Sequence, residues 1–230
     1  MLFKGLMTSA SGSAGGITAS HNRGGMYFRG RAIPTNPNSN LQQEVRSAMA
    51  TASQAWRGLT QAIRDAWTTY GNNTPLLGPL GDPVPMSGIN AFIRGNVPVL
   101  QAGGTLVTAA PTTPGLPTLS ELGVITLGVA GGLSVAYSNG DSWANDDNGR
   151  LMIYQGRPQS AGRSYFSGPY RLATSVAGDG ETPPTSPATV ATASLPYAIA
   201  AGQACWIRVI ALDGTGRVSA EQIRRVVIGA

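Results

Sequence analysis

The residues able to do chemistry are few and far apart. His21 is the sole histidine and Cys205 the sole cysteine, so a histidine-based triad or a zinc site would have to join a side chain near the N-terminus to one near the opposite end. The simpler reading of His21 is an exposed side chain making a hydrogen bond. Ser11 and Ser13 lack the flanking glycines of a Gly-x-Ser-x-Gly elbow. Gly12, Gly15 and Gly16 lack the Gly-Lys-Ser/Thr end of a phosphate loop. Asp141, Asn145, Asp146, Asp147 and Asn148 crowd one segment, and oxygen-rich loops hold calcium. Their spacing misses the helix-loop-helix template and Trp143 interrupts them, so a solvated Asx-rich turn is the better reading. Asp179 and Glu181 could join that loop as a glycosidase pair, since such carboxylates need only lie ~5–10 Å apart. With eleven acids in the chain and no aromatic-rich cleft signature, the sequence predicts no enzyme, no cofactor and no metal.

What remains is binding. Residues 1–31 contain Lys4, His21, Arg23, Arg29 and Arg31, seven glycines and no Asp or Glu. Scattered single apolar residues cannot build a core, and glycine makes ordering costly. The segment is expected to take its shape from a neighbour, with Arg23, Tyr27, Phe28, Arg29 and Arg31 as the partner-binding residues. Arginines interleaved with aromatics also suit phosphate contact and base stacking. The charge density is low for a nucleic-acid arm, however, and an acidic protein surface would satisfy the same side chains.

The charge distribution agrees. Residues 1–110 hold eight Lys/Arg against Glu44, Asp65 and Asp82, whereas residues 111–230 hold eight Arg against eight acids, so the net +5 sits in the first half. Fifteen of the sixteen basic residues are arginine, which favours bidentate contacts to carboxylate or phosphate, although a GC-rich genome gives the same bias. One cysteine permits no disulfide within the chain, so the fold rests on packing. Leu2, Phe3, Leu6 and Met7 are too interrupted for the apolar core of a signal peptide. The uncharged run Leu122–Tyr137 contains four glycines and falls short of the ~20 residues a bilayer span needs; no membrane contact is expected.

The elements that must position the arm follow from periodicity. Two prolines in Ile33–Asn40 enforce extended backbone, and the Asn/Ser run supplies a cap. Leu41, Val45, Ala48, Met49, Ala52, Trp56 and Leu59 line one stripe of a helix beginning near Asn40 that must pack on something. Thr60 caps a second helix carrying Ile63, Ala66, Trp67 and Tyr70, and Ser87 caps a third carrying Ile89, Phe92, Ile93 and Val97 until Pro98 ends it. Trp56, Trp67 and Phe92 can form one small core. Residues 102–117, rich in Gly, Thr and Pro, read as a linker. Beyond it, Leu133–Tyr137, Leu151–Tyr154, Phe166–Leu172, Ala204–Leu212 and Ile223–Ile228 alternate as strands, with Asp213-Gly214-Thr215-Gly216 as a hairpin turn. The sequence therefore predicts an α + β multidomain chain: an extended Gly/Arg-rich arm at 1–37, a helical domain at 38–101, the linker, and an immunoglobulin/fibronectin III-like β-sandwich at 118–230.

Two resemblances sharpen this. Ile199 to Ser219, with Gly202, the alternating Ile207-Arg208-Val209, and Gly216 before Ser219, resembles the penultimate strand and last hairpin of a fibronectin type III domain. Cys205 stands where that family carries its corner tyrosine. Residues 9–101 resemble a family of bacteriophage and prophage proteins through Ser11–Gly16, Asn22-Arg23-Gly24-Gly25, Arg29-Gly30-Arg31, Pro34-Thr35-Asn36-Pro37, Gln43–Arg46, Trp56–Leu59, Trp67, Ser87-Gly88, Phe92 and Asn96. The first likeness implies a binding or spacing module, and the second implies a structural protein located in the virion. The expected role is a capsid decoration or cement protein, gripping other virion proteins and copies of itself through the arm. A neck, tail-tube or baseplate component is the alternative within the particle, and a nucleic-acid-binding protein the alternative from another class.

Overall fold

The computed structural model describes residues 10–22, 25–78 and 81–230. The chain divides into two compact units, residues 1–40 and 41–230, and its architecture is mixed α and β, with three α-helices and several antiparallel sheets among the described residues.

In the first unit, β1 (Gly12–Ala14), β2 (Ile17–Asn22) and β3 (Gly25–Gly30) form an antiparallel meander in the order β1-β2-β3. The segment expected to be an extended arm thus pairs with itself. The cause is Gly15-Gly16, a two-residue loop between the paired Ala14 and Ile17. Gly15 adopts φ +57°, and glycine is the residue that enters this left-handed region without strain, as tight hairpins require. The sheet still has no core, for no described residue from 10 to 40 is buried.

In the second unit, α1 spans Asn40–Gly58, α2 Gln61–Asn73 and α3 Gly88–Gln101. Thr60 Oγ1 accepts from the Ile63 N–H and Ser87 Oγ from the Asn90 N–H, each capping its helix as the sequence predicts. Trp67 and Phe92 are fully buried. They meet edge to face at 5.3 Å, and Trp56 lies 5.5 Å from Phe92. Leu76–Leu77 (β4) and Pro83–Val84 (β5) make a minimal hairpin between α2 and α3.

Two expectations change here. Pro98 does not end α3; the helix runs one turn further, because Val99 is buried against Met152, Tyr154, Leu212 and Val218. The Ala102 N–H reaches the carbonyls of Pro98 and Val99. In α1 only Ala48 and Ala52 are buried, while Leu41, Val45 and Met49 keep 38–46 % of their surface exposed, so the N-terminal half of the stripe is only partly covered within the described unit.

The remaining strands are β6 (Ile125–Gly128), β7 (Gly132–Val135), β8 (Arg150–Gly156), β9 (Tyr170–Ala177), β10 (Ala188–Val190), β11 (Ala204–Leu212) and β12 (Gln222–Val227). They form a three-stranded sheet, β10-β7-β6, and a four-stranded sheet, β12-β11-β8-β9, with every pairing antiparallel. One apolar core joins the two: Leu127, Leu133 and Val135 from the smaller sheet, Leu151, Ile153, Cys205, Ile207, Val209 and Ala211 from the larger, with Trp143 between strands. Alternation along β8 and β11 sends Met152, Tyr154, Trp206 and Leu212 to the opposite face. The same chain covers that face, Val99 of α3 lying on Met152 and Tyr154, and Phe166 stacking on Trp206 at 5.4 Å. The strand expected at Phe166–Leu172 lies further on, at Tyr170–Ala177, because Phe166 serves as this cover.

The segment expected to be a linker is held along its length. Leu106 and Ala110 pack into the helical core, Trp67 Nε1 donates to the Thr108 carbonyl at 2.9 Å, and the Gly115 N–H donates to Thr74 Oγ1 at 3.0 Å. Helices and sheets are thereby one unit.

Candidate interaction surface

The register of the N-terminal sheet decides what its side chains can do. Across β2 and β3, Thr18 faces Arg29, Ala19 faces Phe28, Ser20 faces Tyr27 and His21 faces Met26. Side chains alternate between faces, so Ala14, Ile17, Ala19, His21, Met26 and Phe28 share one side. Ser13, Thr18, Ser20, Tyr27 and Arg29 share the other, where the hydroxyls of Ser13 and Thr18 hydrogen-bond at 2.8 Å. The Arg31 N–H donates to the Gly16 carbonyl at 2.8 Å, which prolongs the ladder and puts Arg31 on the face of Arg29.

Of the five residues singled out by sequence, Tyr27, Arg29 and Arg31 therefore converge, Phe28 points the opposite way, and Arg23 lies outside the described residues. Phe28 instead joins Ile17, which is 55 % exposed, beside an open hollow of about 760 Å³ that Ala10, Gly12, Ala14 and Ala19 also line. The surface is two-sided: one face apolar, the other hydroxyl-rich with two arginines. No acid occurs before Glu44, so nothing within the unit offsets the positive charge.

The other candidates are committed to structure. Cys205 is fully buried and its Sγ lies 3.1 Å from the Gly156 carbonyl; burial pushes its thiol up to about 11, the reverse of what a nucleophile needs. In the acidic loop, Asp141 accepts from the Ser120 N–H, Asp146 from the N–H groups of Asn148 and Gly214, and Asp147 from that of Gly180. Asp179 accepts from the Thr182 and Glu181 N–H groups, which hold its carboxyl below the usual value. These carboxylates fasten loops. Among the described residues no three His, Cys, Asp or Glu side chains are grouped to hold a metal ion, and no helix is long and apolar enough to cross a membrane.

Sequence reasoning passed over a set of amide clamps. Buried Gln155 donates to the Tyr197 carbonyl and accepts from its N–H. Gln222 does the same for the strand-like segment Leu119–Leu122. A lone glutamine inside the apolar run Leu151–Gly156 was the available signal, since a buried amide must find partners. Arg208, stacked between the rings of Tyr154 at 4.5 Å and Tyr170 at 5.0 Å with Glu221 at 3.7 Å, is likewise structural.

Comparison of the chain with protein-family models, with curated proteins and with solved structures finds no match.

Proposed function

We propose that this chain is a bacteriophage virion structural protein, a capsid decoration or cement subunit that holds neighbouring subunits through residues 10–31. The observation that carries the reading is a sheet with no buried residue, one apolar face and one arginine face. Such a surface has its faces satisfied by contact with something else. Magnitudes favour a repetitive partner. Three strands ~4.8 Å apart and ~20 Å long offer about 300 Å² per face, well under the ~800 Å² per partner of a stable interface. One grip is weak, and many copies on a particle make it effective by avidity.

The second unit fits a spacer or projecting module. Seven antiparallel strands divided three and four over one core, with the chain crossing between sheets after β7, β9 and β10, support the reading of a fibronectin type III-like sandwich. The Asp213–Gly216 turn between β11 and β12 adds to it, with the Gly216 N–H donating to the Asp213 carbonyl at 3.0 Å.

The test is fractionation of particles from producing cells. The full chain is expected to sediment with them, and a chain lacking residues 10–31 to remain in the supernatant with an unchanged thermal midpoint. Equal sedimentation of both overturns the reading. A label on the C-terminus distinguishes a shell from a neck, tail-tube or baseplate position. Because Tyr27 and Arg29 share a face, duplex and single-stranded DNA are the controls; binding that falls steeply with salt would favour the nucleic-acid alternative.

A further inference from the structure

From the placement of charge in the second unit we infer that copies of this chain dock head to tail, the arginine-bearing end of the four-stranded sheet in one copy taking the acidic end in the next. The inference goes beyond the gripping role of residues 10–31 and does not depend on it.

Strand pairing gathers the charges. Gly156 pairs with Tyr170, and Ala204 with Val227, at one end of the sheet; Arg150 pairs with Ala177 and Leu212 at the other. The first end carries Arg157, Arg163, Arg171 and Arg225, all exposed. Arg163 donates to Gln159 and the Tyr165 carbonyl, Arg171 to the Pro196 carbonyl, and Arg225 to the carbonyls of Ala161 and Arg163. These acceptors are neutral, so the positive charge stands. No Asp or Glu occurs in residues 150–178, 191–212 or 222–230, and residues 1–43 and 79–80 contain none to supply the counter-charge. Arg224 drops out through its pair with Glu121 at 2.7 Å. At the opposite end, Asp146, Asp147 and Asp179 accept only from backbone N–H groups, which leaves them negative, and Glu181 is exposed beside them. Asp213 there is balanced by Arg217 at 2.6 Å, and Arg150 offsets one of the four remaining acids.

Distance then selects the arrangement. From Arg150 to Gly156 the strand rises ~20 Å, more than twice the ~8 Å over which salt screens a charge. The two ends of one copy therefore cannot neutralise each other. A two-fold dimer through either end sets like charges together, whereas a head-to-tail contact joins opposite ones and repeats, closing as a ring or running on as a filament. An end about 20 Å on a side offers about 400 Å², half the ~800 Å² per partner of a stable interface. A single contact is accordingly weak and sensitive to salt, and it gains strength where many copies are held side by side.

The test is sedimentation of the full-length chain at rising concentration, at low and at high salt. Wild type is expected to self-associate at low salt and to lose about ten-fold in affinity at high salt. Arg157 and Glu181 are the residues to change, because neither side chain makes a hydrogen bond or ion pair among the described residues. Arg157→Glu and Glu181→Arg should each weaken association about ten-fold. An equal mixture of the two chains, and the double variant, should recover it, since every contact then again joins opposite signs. A flexible bis-maleimide should link an Arg157→Cys chain to a Glu181→Cys chain and neither to itself, Cys205 being buried. A wild-type chain that is monomeric at every concentration, an association indifferent to salt or to both reversals, or self-linking of either cysteine variant overturns the inference. Loss on Arg29→Glu without loss on Arg157→Glu gives the acidic end to the arm instead and overturns it equally. The two readings fail separately. Particle attachment lost on deleting residues 10–31, with no head-to-tail contact, leaves the arm alone; a head-to-tail contact with attachment unaffected by the deletion leaves the contact alone.

Discussion

The side chain of Asn96, fully buried in α3, grips the backbone of Val107 from both sides: its Nδ2 donates to the Val107 carbonyl at 3.0 Å, and its Oδ1 accepts from the Val107 N–H at 2.7 Å. A second Nδ2 bond reaches the Phe92 carbonyl at 3.0 Å. One amide thus replaces a strand partner for a segment that has none, and it fastens the chain between helices and sheets to the helical core.

Asn96→Ala should therefore leave two backbone groups of Val107 in a site with no replacement partner. The expected cost is about 2–4 kcal/mol, read as a lower urea midpoint at unchanged m-value. Asn96→Asp keeps the acceptor but turns both donor contacts into carboxylate facing carbonyl, and should cost more than the alanine. A midpoint within error of wild type for either variant would show that residues 104–110 are held by other means.

Gly95 of α3 lies close against Gly216 of the last hairpin. A Cβ built at Gly95 would overlap the Gly216 carbonyl oxygen, and Arg94 donates to the carbonyls of Val218 and Ser219 just beyond. On helix propensity alone Gly95→Ala would stabilise by about 1 kcal/mol. The overlap with backbone should reverse that sign and destabilise by about 1–3 kcal/mol, with faster amide exchange at residues 213–219. A raised thermal midpoint would mean the two glycines do not touch in solution.

Alkaline pH should loosen the fold in two stages. The Cys205 thiol of the unfolded chain loses its proton near 9, whereas burial holds the native thiol to about 11. Between these values the unfolded chain binds fewer protons than the native one, so stability falls as pH rises through this window. Burial raises Tyr70, Tyr137, Tyr154 and Tyr170 in the same direction from their usual 10.0, which extends the loss above pH 10. Urea midpoints measured from pH 7 to 11 should show the first stage in wild type and not in Cys205→Ala. Identical profiles for the two chains would remove Cys205 as its source.

Trypsin should find the arm first. Arg29 and Arg31 are exposed, as is every residue from 31 to 40, so cleavage there should release the N-terminal sheet and leave residues 41–230 intact on a denaturing gel. Resistance of the isolated chain would show the arm sheltered without a partner.

Much of the secondary structure was legible before any coordinates. Thr60 and Ser87 announce their helices because a hydroxyl before an apolar stripe caps locally, and Ala204–Leu212 announces β11 because alternation is a property of neighbouring residues. The aromatic trio Trp56, Trp67 and Phe92 followed from the same periodicity. Gly15-Gly16 was equally local and equally legible as a hairpin, but the glycine content around it pointed to an unpaired arm.

Charge, composition and helix stripes could be counted along the chain itself, and they established a basic, acid-free beginning and a body able to bury a core. Contacts distant in sequence decided the rest. Whether Tyr27 and Phe28 act together depended on strand register, which sent them to opposite faces. Whether residues 102–117 link or lock depended on Asn96 reaching Val107, and whether Met152 and Trp206 needed another chain depended on where Val99 and Phe166 came to lie. Periodicity reports which face of an element is apolar; it carries no information about what covers that face, because the cover comes from residues whose position is set only when the whole chain has closed around its core.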